Sequence, residues 1–130
     1  MPSYDASQYD PPAPVALVSL RASAGGALVH GVPLLIDTGA DATLLPRSAV
    51  ERVGVQLRAD LQYELIGFDG KTRVRADVVE LDMLFLNRSF RGRYLLIDDS
   101  HGILGRDVLA SLRLLFDGPG QEWGEQRTRT

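Results

Sequence analysis

Short apolar runs separated by turn-forming residues are the feature that most constrains the fold of this 130-residue chain. From Val15 onward, runs of aliphatic and β-branched residues alternate with Gly, Asp and Asn. Apolar runs of about four to eight residues, bounded in this way, are typical of β-strands. The sequence therefore predicts an all-β domain, with strands over residues 15–21, 27–30, 32–36, 62–66, 71–75, 78–86, 90–97 and 103–104.

Two short helices are also predicted. Pro46 suits the first position of a helix, and the segment 48–53 is followed by Gly54, a residue type that often ends helices. The second helix is predicted over 106–112, because its aliphatic residues recur at helical spacing. The fold is thus expected to be strand-rich, with one or two short helices.

The chain is expected to hold one domain with two less regular ends. Residues 1–14 contain four of the seven prolines and little apolar material, so they are interpreted as a flexible leader. Residues 15–118 form the predicted domain. A strong turn signal at 117–120 precedes a mostly polar stretch, so 119–130 are expected to be a polar C-terminal tail.

Composition excludes several classes of function. Seventeen acidic residues against fourteen basic ones give a net charge of −3, which disfavours nucleic acid as the main partner. The absence of cysteine excludes a disulfide scaffold, a thiolate metal site and a cysteine nucleophile. No apolar run approaches the roughly 18 residues that span a bilayer, so stable membrane insertion is not expected.

No signal peptide is visible at the N-terminus, which lacks a basic start and an apolar segment. The default expectation for localisation is therefore the cytoplasm. A periplasmic or exported location is the alternative if a signal segment has been removed.

The string LLIDTGADATLLP over residues 34–46 is the strongest chemical signal. Asp37 directly follows three aliphatic residues, and an ionised carboxylate is costly to bury without partners. It therefore lies either at a strand end facing a cleft or beside hydrogen-bond donors. Gly39 allows a close backbone approach, and Thr38 supplies a hydroxyl. The alternative interpretation of Asp-Thr-Gly alone is an ordinary Asx turn after a strand.

The string GILGRDVL over residues 102–109 is the second signal. Gly102 and Gly105 permit close strand packing, and the planar guanidinium of Arg106 suits a carboxylate partner, for which Asp41 is the candidate. The alternative is that Arg106 is a solvated helix residue.

Other site chemistries fit the sequence poorly. Calcium-loop spacing from Asp37 fails at Gly39, and neither His30 nor His101 has a carboxylate at a recognisable metal-ligand spacing. No Gly-x-Ser-x-Gly motif is present. The sequence therefore predicts no metal and no cofactor.

Together these segments resemble the retropepsin-like (retroviral-type) aspartic proteases, as a bacterial or cellular member. Three motifs stand in the family's order, namely 35–41, the glycine-flanked hairpin 67–70, and 103–107. The similarity covers about residues 15–115. It implies a closed β-barrel acid-protease half with a flap hairpin, assembled as a C2 homodimer. The tip of the hairpin and the extra turn at 117–120 depart from the viral pattern.

The resemblance also implies roles for individual residues. Asp37, Thr38 and Gly39 would be catalytic, and 66–71 would be the flap that closes over substrate. The implied substrate-binding residues are Ala40, Asp41, Ile66, Gly67, Phe68 and Leu104. Arg106 and Asp107 would be structural supports, with Arg106 paired to Asp41.

A single Asp-Thr-Gly implies two chains. Aspartic proteolysis needs two carboxylates on one water, and the sequence shows neither a repeat nor a second motif. A two-fold axis would supply the second Asp37. The resulting hypothesis is a homodimeric endopeptidase that cleaves extended polypeptides between hydrophobic residues, for limited processing. The alternatives are a non-catalytic dimerisation or peptide-binding module of this fold and, below it, a small β-domain in which Asp37 is a turn residue.

Overall fold

A computed structural model of the chain describes residues 1–66, 70, 71 and 73–126. Over these residues it contains nine strands and two helices. In chain order they are β1 (Val15–Arg21), β2 (Val29–Ile36), β3 (Leu44–Pro46), α1 (Arg47–Val53), β4 (Leu57–Ile66), β5 (Arg73–Phe85), β6 (Arg88–Ile97), β7 (Gly102–Leu104), α2 (Arg106–Leu109), β8 (Leu114–Asp117) and β9 (Glu122–Glu125). Neither helix has the length or apolar character needed to cross a membrane.

Six strands close into a barrel. Their order is β1-β2-β7-β3-β6-β5, and β5 pairs back with β1, while β4 lies outside the ring on the far edge of β5. The closing pair is antiparallel and places Leu20 opposite Met83. Both side chains are fully buried. The prediction of an all-β closed barrel is confirmed.

The barrel interior is filled by alternate residues of its strands. In β1 the side chains of Ala16, Val18 and Leu20 are buried, whereas Leu17 between them is exposed. This period of two follows from the pleat of a strand, which points successive side chains to opposite faces. Helix α1 adds Ala49 and Val50 to the same core. Leu104 of β7 also lies there, fully buried.

The passage of β7 between β2 and β3 positions the site. β7 is parallel to β2 and antiparallel to β3, so Ile103 lies opposite both Leu35 and Leu44. A Cβ atom on Gly102 would lie 2.2 Å from the carbonyl oxygen of Leu44, a distance that only glycine avoids. The predicted close strand packing at Gly102 is confirmed.

Several element boundaries differ from the predictions. Segments 27–30 and 32–36 form one strand, β2, which continues through Gly31 in a positive-φ conformation. Segments 71–75 and 78–86 likewise belong to one long strand, β5. The three-residue β3 was not predicted. Helix α2 ends at Leu109. The Ala110 amide still bonds four residues back, but the Ser111 and Leu112 amides bond three residues back, the tighter pattern of a 3₁₀ turn.

The C-terminal end of the described chain is more ordered than the predicted polar tail. β8 and β9 form a separate antiparallel hairpin around the turn that begins at Asp117. Trp123 of β9 is 2% exposed, and its ring centroid lies 6.0 Å from that of Phe85. One buried indole therefore anchors a segment that is otherwise polar.

The N-terminal residues also differ from the prediction of a loose leader. The Trp123 amide donates to the carbonyl of Pro2 at 3.0 Å, and the Tyr4 amide donates to the carbonyl of Gln121 at 2.7 Å. Prolines lack an amide hydrogen but keep the carbonyl acceptor, so a Pro-rich segment still pairs with a strand edge. Within residues 1–14, called the N-terminal arm below, residues 2–4 thus pair along β9.

Candidate active site

Asp37 directly follows the last residue of β2. Its amide donates to the carbonyl of Leu104 at 3.1 Å, and its own carbonyl accepts the Ala40 amide at 3.2 Å, which closes a tight turn. The Gly39 amide donates to Oδ1 of Asp37 at 2.9 Å. A Cβ on Gly39 would lie only 3.1 Å from the same oxygen. Glycine therefore lets the amide approach and orient the carboxylate.

The Asp-Thr-Gly segment lies at the surface of the single chain. Asp37 is half-buried, whereas Thr38 and Gly39 are exposed. Asp37 forms no ion pair with any Lys, Arg or His among the described residues. Its carboxylate is thus held in place by one backbone amide and stays accessible for proton exchange.

The loop of residues 37–43, called the catalytic loop below because the sequence predicts the acid–base group there, rests on the junction of β7 and α2. The Arg106 amide donates to the carbonyl of Ala40 at 2.9 Å. A Cβ on Gly105 would lie 2.6 Å from the carbonyl oxygen of Ala42. The backbones at these points touch without intervening side chains. The second predicted glycine contact is therefore present, at Gly105.

The predicted pairing of Arg106 with Asp41 is wrong. The guanidinium of Arg106 instead donates to the carbonyl of Thr38 at 2.6 Å, and no ion pair joins Arg106 to Asp41 in the described part of the chain. Arg106 lies in the first turn of α2 and reaches back along the loop, where a backbone acceptor is closer. The bond still ties α2 to the residue next to Asp37, while Asp41 remains exposed.

Thr43 is the site residue that sequence reasoning missed. It is fully buried, and its hydroxyl donates to Oδ1 of Asp107 at 2.6 Å and accepts from the Gly105 amide at 3.0 Å. The Thr43 amide donates to Oδ2 of Asp107 at 3.0 Å. The sequence feature that could have indicated this role is a single hydroxyl residue between Ala42 and Leu44 in an apolar run. Asp107, predicted as a support, brings both segments of the site together through Thr43.

The flap hairpin is formed by β4 and β5, with Ile66 opposite Arg73. Ile66, which the sequence predicts to contact substrate, is exposed. Two other predicted substrate-binding residues, Gly67 and Phe68, lie outside the described residues. At the base of the hairpin is a small apolar cluster that joins it to the catalytic loop and consists of Ala42, Leu44, Ala76, Val78 and Leu95.

Leu104 lies elsewhere than predicted. Its side chain is fully buried in the barrel core and so does not line a surface subsite of the single chain. The reason is the period of two along β7, which exposes Ile103 partly and turns its neighbours inward. Leu104 instead contributes its carbonyl, which accepts the Asp37 amide.

The chemistry open to this arrangement is proton transfer by a carboxyl group. Asp37 is oriented, accessible and free of a cationic partner, so it is able both to accept and to donate a proton. No group of three or more His, Cys, Asp or Glu side chains suited to a metal ion occurs within the described ranges.

Comparison with known proteins agrees with this geometry. Residues 20–108 match a protein-family model described as aspartyl protease. A solved structure described as EIAV protease complexed with the inhibitor HBY-793 is similar with a TM-score of 0.56 and 24% sequence identity, over 76% of this chain and 86% of that chain. No curated protein gives a significant match. The matched range holds both the Asp37 loop and the Gly105–Asp107 segment, and the chain therefore belongs to the aspartyl protease family, with a retropepsin-like fold.

Proposed function

We propose that this protein is an aspartic endopeptidase that hydrolyses peptide bonds in extended polypeptide segments. The observation that carries the proposal is the Asp37 carboxylate, which is fixed by the Gly39 amide at the surface end of β2 and has no cationic partner among the described residues. A carboxylate held in this way remains within reach of a bound water and a substrate carbonyl, which general acid–base catalysis requires.

The reaction needs two such groups. One ionised carboxylate takes a proton from water, and one protonated carboxyl group donates to the oxygen of the scissile carbonyl. The roles reverse as the amide nitrogen leaves. In aspartic proteases two adjacent carboxyl groups share one proton because both cannot ionise at short range, and the resulting pKa values belong to the pair.

A second copy of the chain would supply the second carboxyl group. Asp107 is unsuited to this role, because its two oxygens already accept the hydroxyl and the amide of Thr43. Asp41 belongs to the same short loop as Asp37 and is exposed. A C2 homodimer instead brings two Asp37 residues to one axis. This arrangement makes the dimer the active species.

The substrate would lie between the catalytic loop and the flap. The hairpin of β4 and β5 offers a backbone edge to which an extended peptide can pair, as strands do in β-augmentation. The apolar cluster at its base, in which Ala42 and Leu44 are only partly buried, favours hydrophobic residues beside the cleaved bond. Cleavage at such bonds in exposed, extended segments fits limited processing of a protein substrate.

The decisive experiment compares the wild type with Asp37→Asn on a mixed peptide pool from acidic to neutral pH, with products quantified by mass spectrometry. We expect Asp37→Asn to lower turnover by at least about a thousandfold, since it removes the acid–base group. Asp99→Asn makes the same chemical change at an exposed position remote from Asp37 and is expected to keep full activity.

Each outcome bears on the proposal. Activity that needs Asp37 and is blocked by a pepstatin-type inhibitor supports it. A wild type that dimerises but turns over no peptide contradicts it and favours the non-catalytic module. Profiling of the cleaved bonds tests the substrate, and a preference for charged residues there contradicts the apolar subsites.

A further inference from the structure

We infer that a basic patch on the outer face of β5 and β6 binds acidic residues of the substrate polypeptide, on segments that flank the cleaved bond. The patch, called the basic wall below, consists of Arg21, Arg58, Arg91 and Arg93 around Glu80 and Asp82. The inference rests on the endopeptidase proposed above and adds the charge of the polypeptide segments that it would select.

The outer face of β6 leads from the apolar cluster at the base of the flap to the basic wall. Tyr94 and Leu96 fill the barrel core, so Arg93 and Leu95, which alternate with them, lie on the outer face. Leu95 belongs to the apolar cluster. Positions on one face of a strand follow each other at about 7 Å, so Arg93 lies one step beyond the cluster and Arg91 lies two.

The neighbouring strand β5 repeats this order. Val79 and Leu81 fill the barrel core, whereas Val78 belongs to the apolar cluster. Glu80 and Asp82 are the next residues on the face of Val78, because side chains alternate between the two faces of a strand. The basic wall therefore begins where the apolar surface beside the flap ends, on both strands.

The charges of the basic wall form two rows across the strands. In the first row, Oε2 of Glu80 lies 2.6 Å from Nη1 of Arg58 and 3.7 Å from Nε of Arg93. The second row is centred in the same way on Asp82, with one arginine from each neighbouring strand. Four guanidinium groups thus surround two carboxylates. This local excess of positive charge contrasts with the net charge of −3 of the whole chain.

The basic wall presents mainly its cations to solvent. The Asp82 side chain is 4% exposed, whereas that of Arg91 is 64% exposed. Arg93 is 51% exposed and approaches Glu80 at a distance beyond hydrogen-bond length. Its guanidinium donates no hydrogen bond to any residue within the described ranges. Because the planar fork of a guanidinium matches a carboxylate, Arg93 is the position at which an incoming acidic side chain would bind.

The position of the wall beside the apolar cluster favours a polypeptide over a nucleic acid as its occupant. The acidic chain as a whole repels a polyanion. A polypeptide held by an apolar residue at the cluster needs only local charge complementarity at the wall. Two residues of an extended chain span about 7 Å, so the acidic residues would lie about three to five positions from the cleaved bond. A two-fold dimer would offer one wall to each side of that bond.

The first test measures peptide binding to Asp37→Asn, in which cleavage is blocked. Two labelled peptides share two central leucines and differ only in their flanks, which carry either aspartate or asparagine pairs at the inferred positions. We expect the acidic peptide to bind about tenfold more tightly at low ionic strength, because each exposed ion pair contributes a few fold. Fluorescence anisotropy should show that this advantage falls at about 0.5 M salt, where exposed charges are screened.

The second test assigns the preference to Arg93 in the same Asp37→Asn background. Arg93→Gln should lower the ratio of the two affinities by about threefold, whereas Arg93→Lys keeps the charge and should retain most of it. The matched control is Arg113→Gln, which removes an exposed arginine after α2, outside the wall, and should keep the ratio. Since Arg93 is exposed and donates no hydrogen bond among the described residues, its substitution is expected to leave the fold intact.

The outcomes separate this inference from the proposed function. Equal affinities for the two peptides, or a ratio that Arg93→Gln and Arg113→Gln lower alike, would overturn the role of the wall, and cleavage of both peptides by the wild type would still support the endopeptidase. An Arg93-dependent preference without turnover by the wild type would support the wall and count against the endopeptidase. A short oligonucleotide that binds more tightly than the acidic peptide would make nucleic acid the occupant and overturn the inference.

Discussion

Two aspartates at opposite parts of the barrel are held in opposite ways. Asp37 in the catalytic loop is half-buried and accepts one backbone amide, with no cation beside it among the described residues. Asp82 on β5 is 3% exposed and accepts two hydrogen bonds from Arg91, at 2.9 and 3.4 Å. Arg21 lies 3.6 Å away on its other side. The three residues Arg21, Asp82 and Arg91 are called the barrel seam.

The difference in partners indicates that Asp82 stabilises the barrel, whereas Asp37 is available for proton transfer. The seam joins β5 to both neighbours, since Asp82 lies opposite Arg21 of β1 and Arg91 of β6. Hydrogen bonding from Arg91 lowers the pKa of Asp82 from its ordinary value of 3.8, which keeps the group ionised. A group that must cycle between two protonation states needs the opposite setting. The seam therefore fixes the barrel, and the catalytic loop leaves its carboxyl group able to react.

The strongest test of this comparison removes the charge of each aspartate in turn. Asp37→Asn should abolish at least about 99.9% of activity yet change the free energy of unfolding by less than about 0.5 kcal/mol, because asparagine keeps the acceptor for Gly39. Asp82→Asn should cost about 2 kcal/mol of stability, since two cations lose their partner. Part of that loss is screened, as the Arg91 side chain is 64% exposed.

Activity assays and urea unfolding on the same two proteins check this expectation. Asp82→Asn, assayed well below its unfolding midpoint, should retain turnover within about threefold of the wild type. Equal losses of stability in the two variants would remove the distinction between the loop and the seam.

Thr43→Val tests how much the buried Thr43 hydroxyl contributes to holding the catalytic loop in place. The change keeps the shape of the side chain but leaves the Gly105 amide without its acceptor and removes the hydroxyl that donates to Oδ1 of Asp107. We expect a loss of about 2–3 kcal/mol in unfolding free energy, together with reduced turnover from a displaced loop. Thr43→Ser keeps the hydroxyl and should cost only about 1 kcal/mol. If the two variants unfold alike in urea, packing rather than the hydroxyl holds the loop.

The pH dependence of stability tests the seam. The native pKa of Asp82 lies below its unfolded value, so the unfolded chain binds a proton first as pH falls. The contribution of Asp82 is therefore complete above about pH 4 and declines as pH falls through the native pKa. The difference in unfolding free energy between the wild type and Asp82→Asn should shrink steadily below that pH. A difference that is constant with pH would contradict an ionic role.

The smallest expected effect concerns the N-terminal arm. Hydrogen bonds from Ser7 and Gln8 lower the pKa of Asp5 to about 2, and Oδ2 lies 3.3 Å from Nε2 of His101. Asp5→Asn keeps one acceptor oxygen and should leave the thermal midpoint nearly unchanged. Exchange of the Trp123 amide, which donates to Pro2, should rise by a few fold as the arm loosens. Unchanged exchange would show that Asp5 does not hold the arm.

Features of the fold that depend on short stretches of sequence were the easiest to predict. The bounds of β1 and the end of α1 at Gly54 follow from apolar alternation and from one αL residue, and both are confirmed. The position of Asp37 was recognisable because a charged residue directly after three aliphatic ones must lie at a strand end or beside donors.

Contacts with backbone atoms could not be predicted from the sequence. The Arg106 guanidinium donates to the carbonyl of Thr38 and not to the carboxylate of Asp41. Because every residue has a carbonyl acceptor, no residue type in the sequence indicates which carbonyl accepts such a bond. Leu104 was assigned to a subsite because the direction of a three-residue strand's side chains depends on its neighbours. The β8–β9 hairpin was missed because β9, which has Glu and Gly around a single Trp, gives little apolar pattern.

The position of β7 has a consequence for how the protein is made. The catalytic strand β2 is completed by a parallel neighbour from far along the chain, and Arg106 reaches a carbonyl 68 residues earlier. Most of the polypeptide would therefore leave the ribosome before β7 and Arg106 can contact the turn that holds Asp37. Long-range pairing of this kind folds late and slowly. The turn that holds Asp37 is therefore expected to reach its final geometry only after the segment 102–106 has been synthesised and paired.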